Sequence, residues 1–230
     1  GIKKKQKINK ELIKKFDNKI KYYFIDTNIS EINPWKREGF QRNQIMKGIE
    51  DADHNDIIMI SDVDEIPNLK DLNLSNIGNK VYAFSLFHSM YKLNLMRQVM
   101  WIGTKLCKKK ILKSPQWLRS LKVHKKYSFL RIDKFFSKTY YSKFKIIENA
   151  GWHFGWLMRS DEIVEKVKSY SHTEHNIPLN NDDNYIKNCI SNQINFLDKN
   201  DILKVDYDTE KLPNYVKNNL EKFEEWIIKK

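Results

Sequence analysis

Continuous and periodic apolar positions divide the chain into short strands and helices. Residues 19–26 are rich in β-branched and aromatic side chains and predict a first strand. Pro34 then begins a segment in which Ile45, Met46 and Ile49 recur at helical spacing. The pattern therefore predicts a strand followed by a helix.

A continuous apolar run at residues 56–61 is typical of a strand buried on both faces in a mainly parallel sheet. With the two preceding elements it gives the order strand, helix, strand. An acidic cluster at residues 62–65 follows directly, at the carboxyl end of the strand, where open α/β sheets place their ligands. The pattern predicts an α/β fold with a candidate site at that edge of the sheet.

The rest of the chain predicts a mixed or antiparallel middle section and a helical end. Further strands are expected at residues 81–88, 90–97, 101–112 and 146–154, and further helices at 115–122, from Asp161 onward and at 211–230. No internal repeat or low-complexity linker interrupts these elements. We therefore expect one domain over residues 1–230.

The composition excludes several classes of protein. With 40% hydrophobic and 13% aromatic residues, the 230-residue chain has enough apolar area to fold, so an intrinsically disordered chain is excluded. Cys107 and Cys189 are its only cysteines, which excludes a disulfide scaffold or a cysteine-based zinc module and favours a reducing, cytoplasmic location. No apolar run is long enough to predict a transmembrane segment.

The charge is strongly positive, since 42 Lys and Arg less 29 Asp and Glu give +13. Scattered lysines of this kind predict salt-sensitive peripheral contact with anionic surfaces. Abundant Lys, Asn and Ile equally suggest a lysine-favouring bacterial or viral proteome, with most lysines simply solvated. No zinc finger or RNP motif accompanies the charge, so no specific nucleic-acid partner is expected.

Three carboxylates stand together at Asp62, Asp64 and Glu65. Mn²⁺ and Mg²⁺ prefer oxygen ligands, and a cation here could clamp a diphosphate and neutralise the charge that develops as it leaves. In an extended backbone Asp62 and Asp64 point to the same side, and Val63 is expected to pack behind them. The alternative is a solvated turn or a helix-capping cluster.

A polar helix face is the second candidate. Glu38, Gln41 and Arg42 are three and four residues apart, with Trp35 and Arg37 just before them. Such a face could present a guanidinium to a phosphate or carboxylate. It could equally be a salt-bridged surface stripe.

The third candidate is the aromatic segment from Gly151 to Trp156. His153 could complete a metal shell begun by the carboxylates, and Trp152 or Trp156 could stack on a sugar or base. The alternative is an imidazole satisfied within the core. Glu174 and Asp183 follow the helix predicted from Asp161, where they could serve as a general base or as polar caps.

These motifs together resemble glycosyltransferase family 17, the family of the bisecting β-1,4-mannosyl-glycoprotein 4-β-N-acetylglucosaminyltransferases. The resemblance rests on Trp35 to Arg42, on "SDVDEIP" at residues 61–67 and on "GWHF" at residues 151–154. It spans about residues 20–195. The resemblance implies a GT-A-like mixed sheet flanked by helices, a UDP-N-acetylglucosamine donor, Mn²⁺ or Mg²⁺, and inversion at the anomeric carbon.

The resemblance also implies roles for the candidate residues. The metal ligands would be Asp62, Asp64 and His153; the donor contacts would be Arg37, Gln41, Arg42, Asp62, Glu65 and Trp152; and the base would be Glu174 first and Asp183 second. Residues 1–100 would then form the donor and metal half of the domain, and residues 101–230 the acceptor half.

Two expectations concern what surrounds this core. Family members ordinarily begin with another strand-helix segment, and we expect this chain to start downstream of it. The acceptor is expected to be a glycan, which need not be an N-glycan.

Two other functions compete with sugar transfer. One is a non-catalytic glycan- or polyanion-binding remnant, and the other is a metal-dependent phosphohydrolase or nucleotidyltransferase using the same acidic cluster.

Overall fold

The computed structural model describes residues 11, 14–25, 33–70, 72–122, 143–169 and 172–230. The strands of these ranges are β1 (Ile57–Ile60), β2 (Glu65–Pro67), β3 (Val81–Met90), β4 (Leu95–Met96), β5 (Trp101–Lys108), β6 (Phe144–Ile147), β7 (Gly151–Trp156), β8 (Ile194–Asn195), β9 (Asp198–Ile202) and β10 (Lys204–Val205). The α-helices are α1 (Pro34–Asn43), α2 (Pro115–Ser120), α3 (Ser160–Ser169), α4 (Asp183–Ser191) and α5 (Asn214–Lys217).

β3 is the central strand of the main sheet and is buried along nearly its whole length. β5 pairs with it antiparallel on one side. On the other side β6 pairs with its first half and β7 with its second half, both in the parallel direction. A mixed sheet flanked by helices results, which agrees with the predicted α/β, GT-A-like fold.

β1 confirms the strand predicted at residues 56–61, but the mainly parallel setting was wrong. β1 runs antiparallel to β5, with Ile57 opposite Lys108 and Ile60 opposite Lys105. Ile58 and Ile60 pack against Leu118 of α2, while Ile57 and Met59 face the core on the other side of the sheet. Both faces of β1 are apolar because each packs against another part of the core. Such packing occurs in antiparallel sheets as well as in parallel ones.

The strand predicted at residues 19–26 was also wrong. A 3-10 helix occupies Lys14–Lys19, and residues 20–25 have no regular structure. Phe24 is 88% exposed, and its neighbours Tyr22 and Tyr23 are exposed as well. Strand propensity reflects packing against neighbouring strands, and residues 20–25 pair with no described strand.

The helix predicted after Pro34 is confirmed. Asn33 caps α1 by accepting a hydrogen bond from the Trp35 N–H, and Pro34 occupies the first turn. A 3-10 helix at Gln44–Ile49 continues it. Arg42, in the last turn of α1, contacts Asp62, so this end of the helix lies beside the acidic cluster.

Several predicted elements are shorter than their patterns suggested. Of residues 90–97, Met90 is the last residue of β3 and Leu95–Met96 forms the separate strand β4, because Tyr91 adopts a positive φ of 63° and turns the chain. A turn with Asn149 at φ 51° separates β6 from β7 within the predicted strand 146–154. The tail predicted as one helix at residues 211–230 is divided into 3-10 helices at Thr209–Lys211 and Leu220–Trp226 and the short α5 between them.

The second half of the core lies under α3 and α4. Ile163, Val164 and Val167 of α3 pack with Tyr91 and Leu95, which confirms the apolar face predicted there. Tyr170, also assigned to that face, lies outside the described residues. No helix in the described ranges is both long and apolar enough to cross a lipid bilayer.

At Gly151 the backbone of β7 approaches that of β2 closely. The φ of Gly151 is +137°, and a Cβ there would lie 2.2 Å from the Ile66 carbonyl oxygen. We expect Gly151→Ala to lower the free energy of unfolding by at least ~2–3 kcal/mol, because the backbone strain adds to a collision with another backbone. Urea unfolding measures this loss.

Gly78 is the matched control, because its φ is +47° but a Cβ there would meet nothing within 4 Å. Gly78→Ala should show the conformational cost alone, roughly 1–2 kcal/mol. Equal losses for the two variants would contradict the close approach of β2 and β7.

Candidate active site

The acidic cluster forms a tight corner between β1 and β2. The Glu65 N–H donates to the Asp62 carbonyl oxygen at 3.0 Å, which closes a turn over Val63 and Asp64. Val63 is at the tip and is fully exposed. The expectation that Val63 packs behind the two aspartates was therefore wrong, because the chain turns here instead of remaining extended.

Two arginines hold the Asp62 carboxylate. Arg42 of α1 contacts Asp62 Oδ1 at 3.2 Å, and Arg119 of α2 contacts Oδ2 at 2.6 Å. Arg42 also bonds Glu38 on its own helix and Gln116 of α2. Both guanidinium side chains are only 13% exposed, so the corner brings two partly desolvated positive charges next to the end of β1.

The Glu65 carboxylate is the buried anchor of the corner. Its side chain is fully buried and accepts hydrogen bonds from Trp101 Nε1 at 2.7 Å, Thr104 Oγ1 at 3.0 Å and Arg119 Nη2 at 2.7 Å. Gly103 of β5 lies against this carboxylate. A Cβ at that position would lie 2.4 Å from Glu65 Oε1, so only glycine fits there. Glu65 therefore fixes the corner, and a direct contact with donor stays a prediction.

Asp64 lies beside His153, as the sequence suggested. β2 and β7 pair with Glu65 opposite His153, and the Phe154 N–H donates to the Asp64 carbonyl oxygen at 2.8 Å. His153 Nε2 is 3.7 Å from Asp64 Oδ2. Burial raises the pKa of Asp64, but the attraction of the nearby His153 imidazole, helped by Lys166, outweighs it and holds the pKa below its usual value.

Aromatic rings enclose the His153 imidazole. Trp101 stacks on it with ring centroids 4.6 Å apart, and His88 lies 4.4 Å away. Burial, with the charges of His153 and Arg97, lowers the pKa of His88 to about 3, so His88 is neutral. In the described part of the chain, His153 Nδ1 is buried and has no hydrogen-bond partner.

A cleft of about 480 Å³ opens at the carboxyl end of β1. One wall is α1 with Glu38, Gln41 and Arg42, and another is the corner from Ile60 to Val63. Tyr23 lines the cleft from the segment before α1, with its hydroxyl bonded to the Lys47 carbonyl oxygen at 2.9 Å. The volume is in the range of small-molecule sites.

Three predicted donor contacts do not line this cleft, and one of them is the buried Glu65 described above. Arg37 is exposed and is not part of its lining. Trp152 alternates with His153 along β7, so its ring lies on the opposite face, where Nε1 donates to the Lys211 carbonyl oxygen at 2.6 Å. Their role in donor binding stays a prediction.

The two carboxylates predicted as base also lie outside the cleft lining. Glu174 accepts a hydrogen bond from His172 at 2.7 Å, and hydrogen bonds from the backbone and His172 lower its pKa. Asp183 forms an ion pair with Lys187, which together with Ser160 lowers its pKa.

The predicted metal ligands fit a Mn²⁺ or Mg²⁺ site in chemistry but are only partly assembled. Two carboxylates and an imidazole suit Mn²⁺ better than Mg²⁺. Asp64 and His153 are adjacent, whereas Asp62 faces the arginines, and among described residues the three ligand groups do not all lie within 4.8 Å of one another. Asp62 would join a cation only by giving up an arginine contact.

Sequence reasoning missed Arg119, Trp101 and Lys105. Lys105 is buried and donates to the Arg119 carbonyl oxygen at 2.6 Å, and burial lowers its pKa to about 8. Trp101 and Arg119 reach the corner from 36 to 57 positions along the chain, and Lys105 contacts it through Arg119, so no local motif includes them. The signal available in the sequence was the position of Arg119 within the predicted helix 115–122.

The fold and this corner define an α/β protein with an acidic, arginine-flanked cleft at a strand end. A family model described as Glycosyltransferase family 17 matches residues 1–226. The chain belongs to glycosyltransferase family 17 and is a glycosyltransferase. No curated protein and no solved structure matches it.

Proposed function

We propose that this enzyme transfers a sugar, N-acetylglucosamine, from a UDP-sugar held in the 480 Å³ cleft to a glycan acceptor, with inversion. The observation that carries the proposal is the acidic corner opening directly onto a cleft walled by Arg42. Family membership supplies the reaction class. The geometry supports the position of the donor.

The nucleobase and the diphosphate of the donor each have a candidate partner in the cleft. Tyr23 offers an aromatic ring to a nucleobase, and Lys21 and Arg42 offer cations to a diphosphate. Arg42 is mostly desolvated, so its attraction to phosphate is stronger than that of an exposed lysine. Asp62, with Glu38 and Glu65, balances the charges of Arg42 and Arg119.

Asp64 and His153 would hold Mn²⁺, with Asp62 as a further ligand. A bound cation would neutralise charge on the leaving diphosphate. The β2–β7 pairing keeps Asp64 and His153 next to each other, and Glu65 fixes the turn that carries Asp64. Inversion then needs the acceptor hydroxyl to approach the anomeric carbon opposite the diphosphate and to lose its proton to a base.

The base predicted from the sequence has a direct test. If Glu174 or Asp183 is the base, Glu174→Gln or Asp183→Asn lowers kcat by ~10²–10⁴-fold while donor binding is unchanged. Transfer rates and donor titrations on both variants decide this. Near-wild-type transfer by both excludes both.

A donor panel tests the proposed function. The protein is incubated with several nucleotide sugars, Mn²⁺ and a mixture of glycan acceptors, and nucleoside diphosphate and glycosylated product are both measured. We expect UDP-N-acetylglucosamine to give equal amounts of UDP and product. Phosphate or pyrophosphate released without sugar transfer would contradict the proposal and favour a phosphohydrolase or nucleotidyltransferase.

A further inference from the structure

A second group of metal-ligating side chains lies after α3, at His172, Glu174 and His175. His172 is the N-cap of the 3-10 helix Thr173–His175, and positions three apart in such a helix lie over one another. The two imidazole rings accordingly stack, with centroids 5.6 Å apart and planes at 24°. Within the described ranges, this is the group whose three ligand atoms all lie within 4.8 Å of one another.

The distances around Glu174 are close to those of a coordinated cation. His172 Nδ1 is 2.7 Å and His175 Nε2 is 4.0 Å from the same carboxylate oxygen. Bonds of about 2.0–2.2 Å in tetrahedral geometry separate ligand atoms by roughly 3.4 Å. Because the three side chains are between 33% and 52% exposed, small rotations bring both distances to that value.

The ligand set identifies the class of cation. Two imidazoles and one carboxylate favour a borderline transition metal such as Zn²⁺ and disfavour Mg²⁺ or Ca²⁺, which prefer oxygen. Three protein ligands at a half-exposed position leave a fourth position for water.

The contact of Trp35 with His172 orients one ligand and places the group. The two rings meet edge to face, with centroids 4.4 Å apart and planes at 83°. Trp35 is in the first turn of α1, and Arg42 is seven residues further, about 10 Å along the helix axis. The histidine group therefore lies beside the N-terminal end of α1, whereas the contact with Asp62 is at its C-terminal end.

We propose that His172, Glu174 and His175 bind one Zn²⁺-class cation, separate from the cation of the acidic corner. The cation fixes the 172–175 segment next to Trp35. Glu174 is then a metal ligand and is not free to accept a proton from an acceptor hydroxyl. The proposal does not depend on the identity of the donor.

Zinc titration of the untagged protein by calorimetry tests this site. The Asp64→Asn background removes a ligand from the acidic corner, so the remaining zinc equivalent reports on the histidine group. We expect this background to bind one Zn²⁺, with His172→Ala and His175→Ala each weakening it at least tenfold. His54→Ala is the matched control, since His54 is also exposed, and should leave the affinity unchanged.

A protection experiment gives the same information without the histidine substitutions. Zn²⁺ added to the wild-type protein should slow modification of His172 and His175 by diethyl pyrocarbonate, mapped by mass spectrometry, while His54 reacts as before. No zinc binding, undiminished binding in a folded His172→Ala/His175→Ala variant, or equal modification with and without Zn²⁺ would overturn the proposal. Loss of sugar transfer in Asp64→Asn does not bear on it.

Discussion

Replacing Asp64 with Asn is expected to abolish cation-dependent donor binding and to lower sugar transfer at least ~10²-fold. Asp64 belongs to the corner whose residues Asp62 and Val63 line the cleft, and its carboxylate lies 3.7 Å from His153. The amide has nearly the same shape but lacks the charge that attracts a divalent cation. Thermal unfolding with Mn²⁺ and UDP should show a rise in Tm for the wild type and none for the variant.

Asp53→Asn is the control for this substitution, because Asp53 is exposed and precedes β1 instead of following it. It removes the same charge from the protein and should keep both the Tm shift and the transfer rate. An Asp64→Asn enzyme that keeps more than half of the wild-type rate would contradict a role for this carboxylate in holding the cation.

Glu65→Ala is expected to destabilise the fold by roughly 3–5 kcal/mol, the cost of breaking a buried ion pair. The substitution removes the acceptor of hydrogen bonds from Trp101, Thr104, Arg119 and the Asp62 N–H. It leaves Arg119 buried with Asp62 as its remaining carboxylate partner. Urea unfolding followed by far-ultraviolet circular dichroism measures the loss.

Glu65→Gln and Glu221→Ala are the comparisons. The glutamine keeps an acceptor for Trp101 but loses the charge, so its loss should lie between those of the wild type and Glu65→Ala. Glu221 is exposed, and its truncation should cost within about 0.5 kcal/mol. A loss below ~1 kcal/mol for Glu65→Ala would show that the carboxylate is not the anchor of the corner.

The elements predicted correctly are those whose signal is local. Apolar runs located β1, β3 and β5, and Pro34 located the start of α1. The direction of β1 was wrong because burial of both faces is the same in parallel and antiparallel sheets. Residues 19–26 have strand-forming side chains, but the described part of this segment has no strand beside it to pair with.

The candidate site was likewise predicted only in part from the sequence. The sequence suggested that the acidic cluster and His153 belong together, and the β2–β7 pairing brings them together. It did not indicate that Arg119 would ion-pair with both Asp62 and Glu65, because those contacts join residues more than 50 positions apart. The exposure of Val63 follows from the turn, which alternation along an extended chain does not describe.

Photoaffinity labelling of the cleft tests the central claim most directly. A UDP-sugar with a photoreactive uracil, irradiated with the protein and Mn²⁺, should label peptides that contain Tyr23, Arg42 or the corner from Ile60 to Val63. Excess UDP should prevent the labelling. Two results would contradict a donor site at the end of β1. One is UDP-sensitive labelling confined to residues 205–230, and the other is labelling that excess UDP does not reduce.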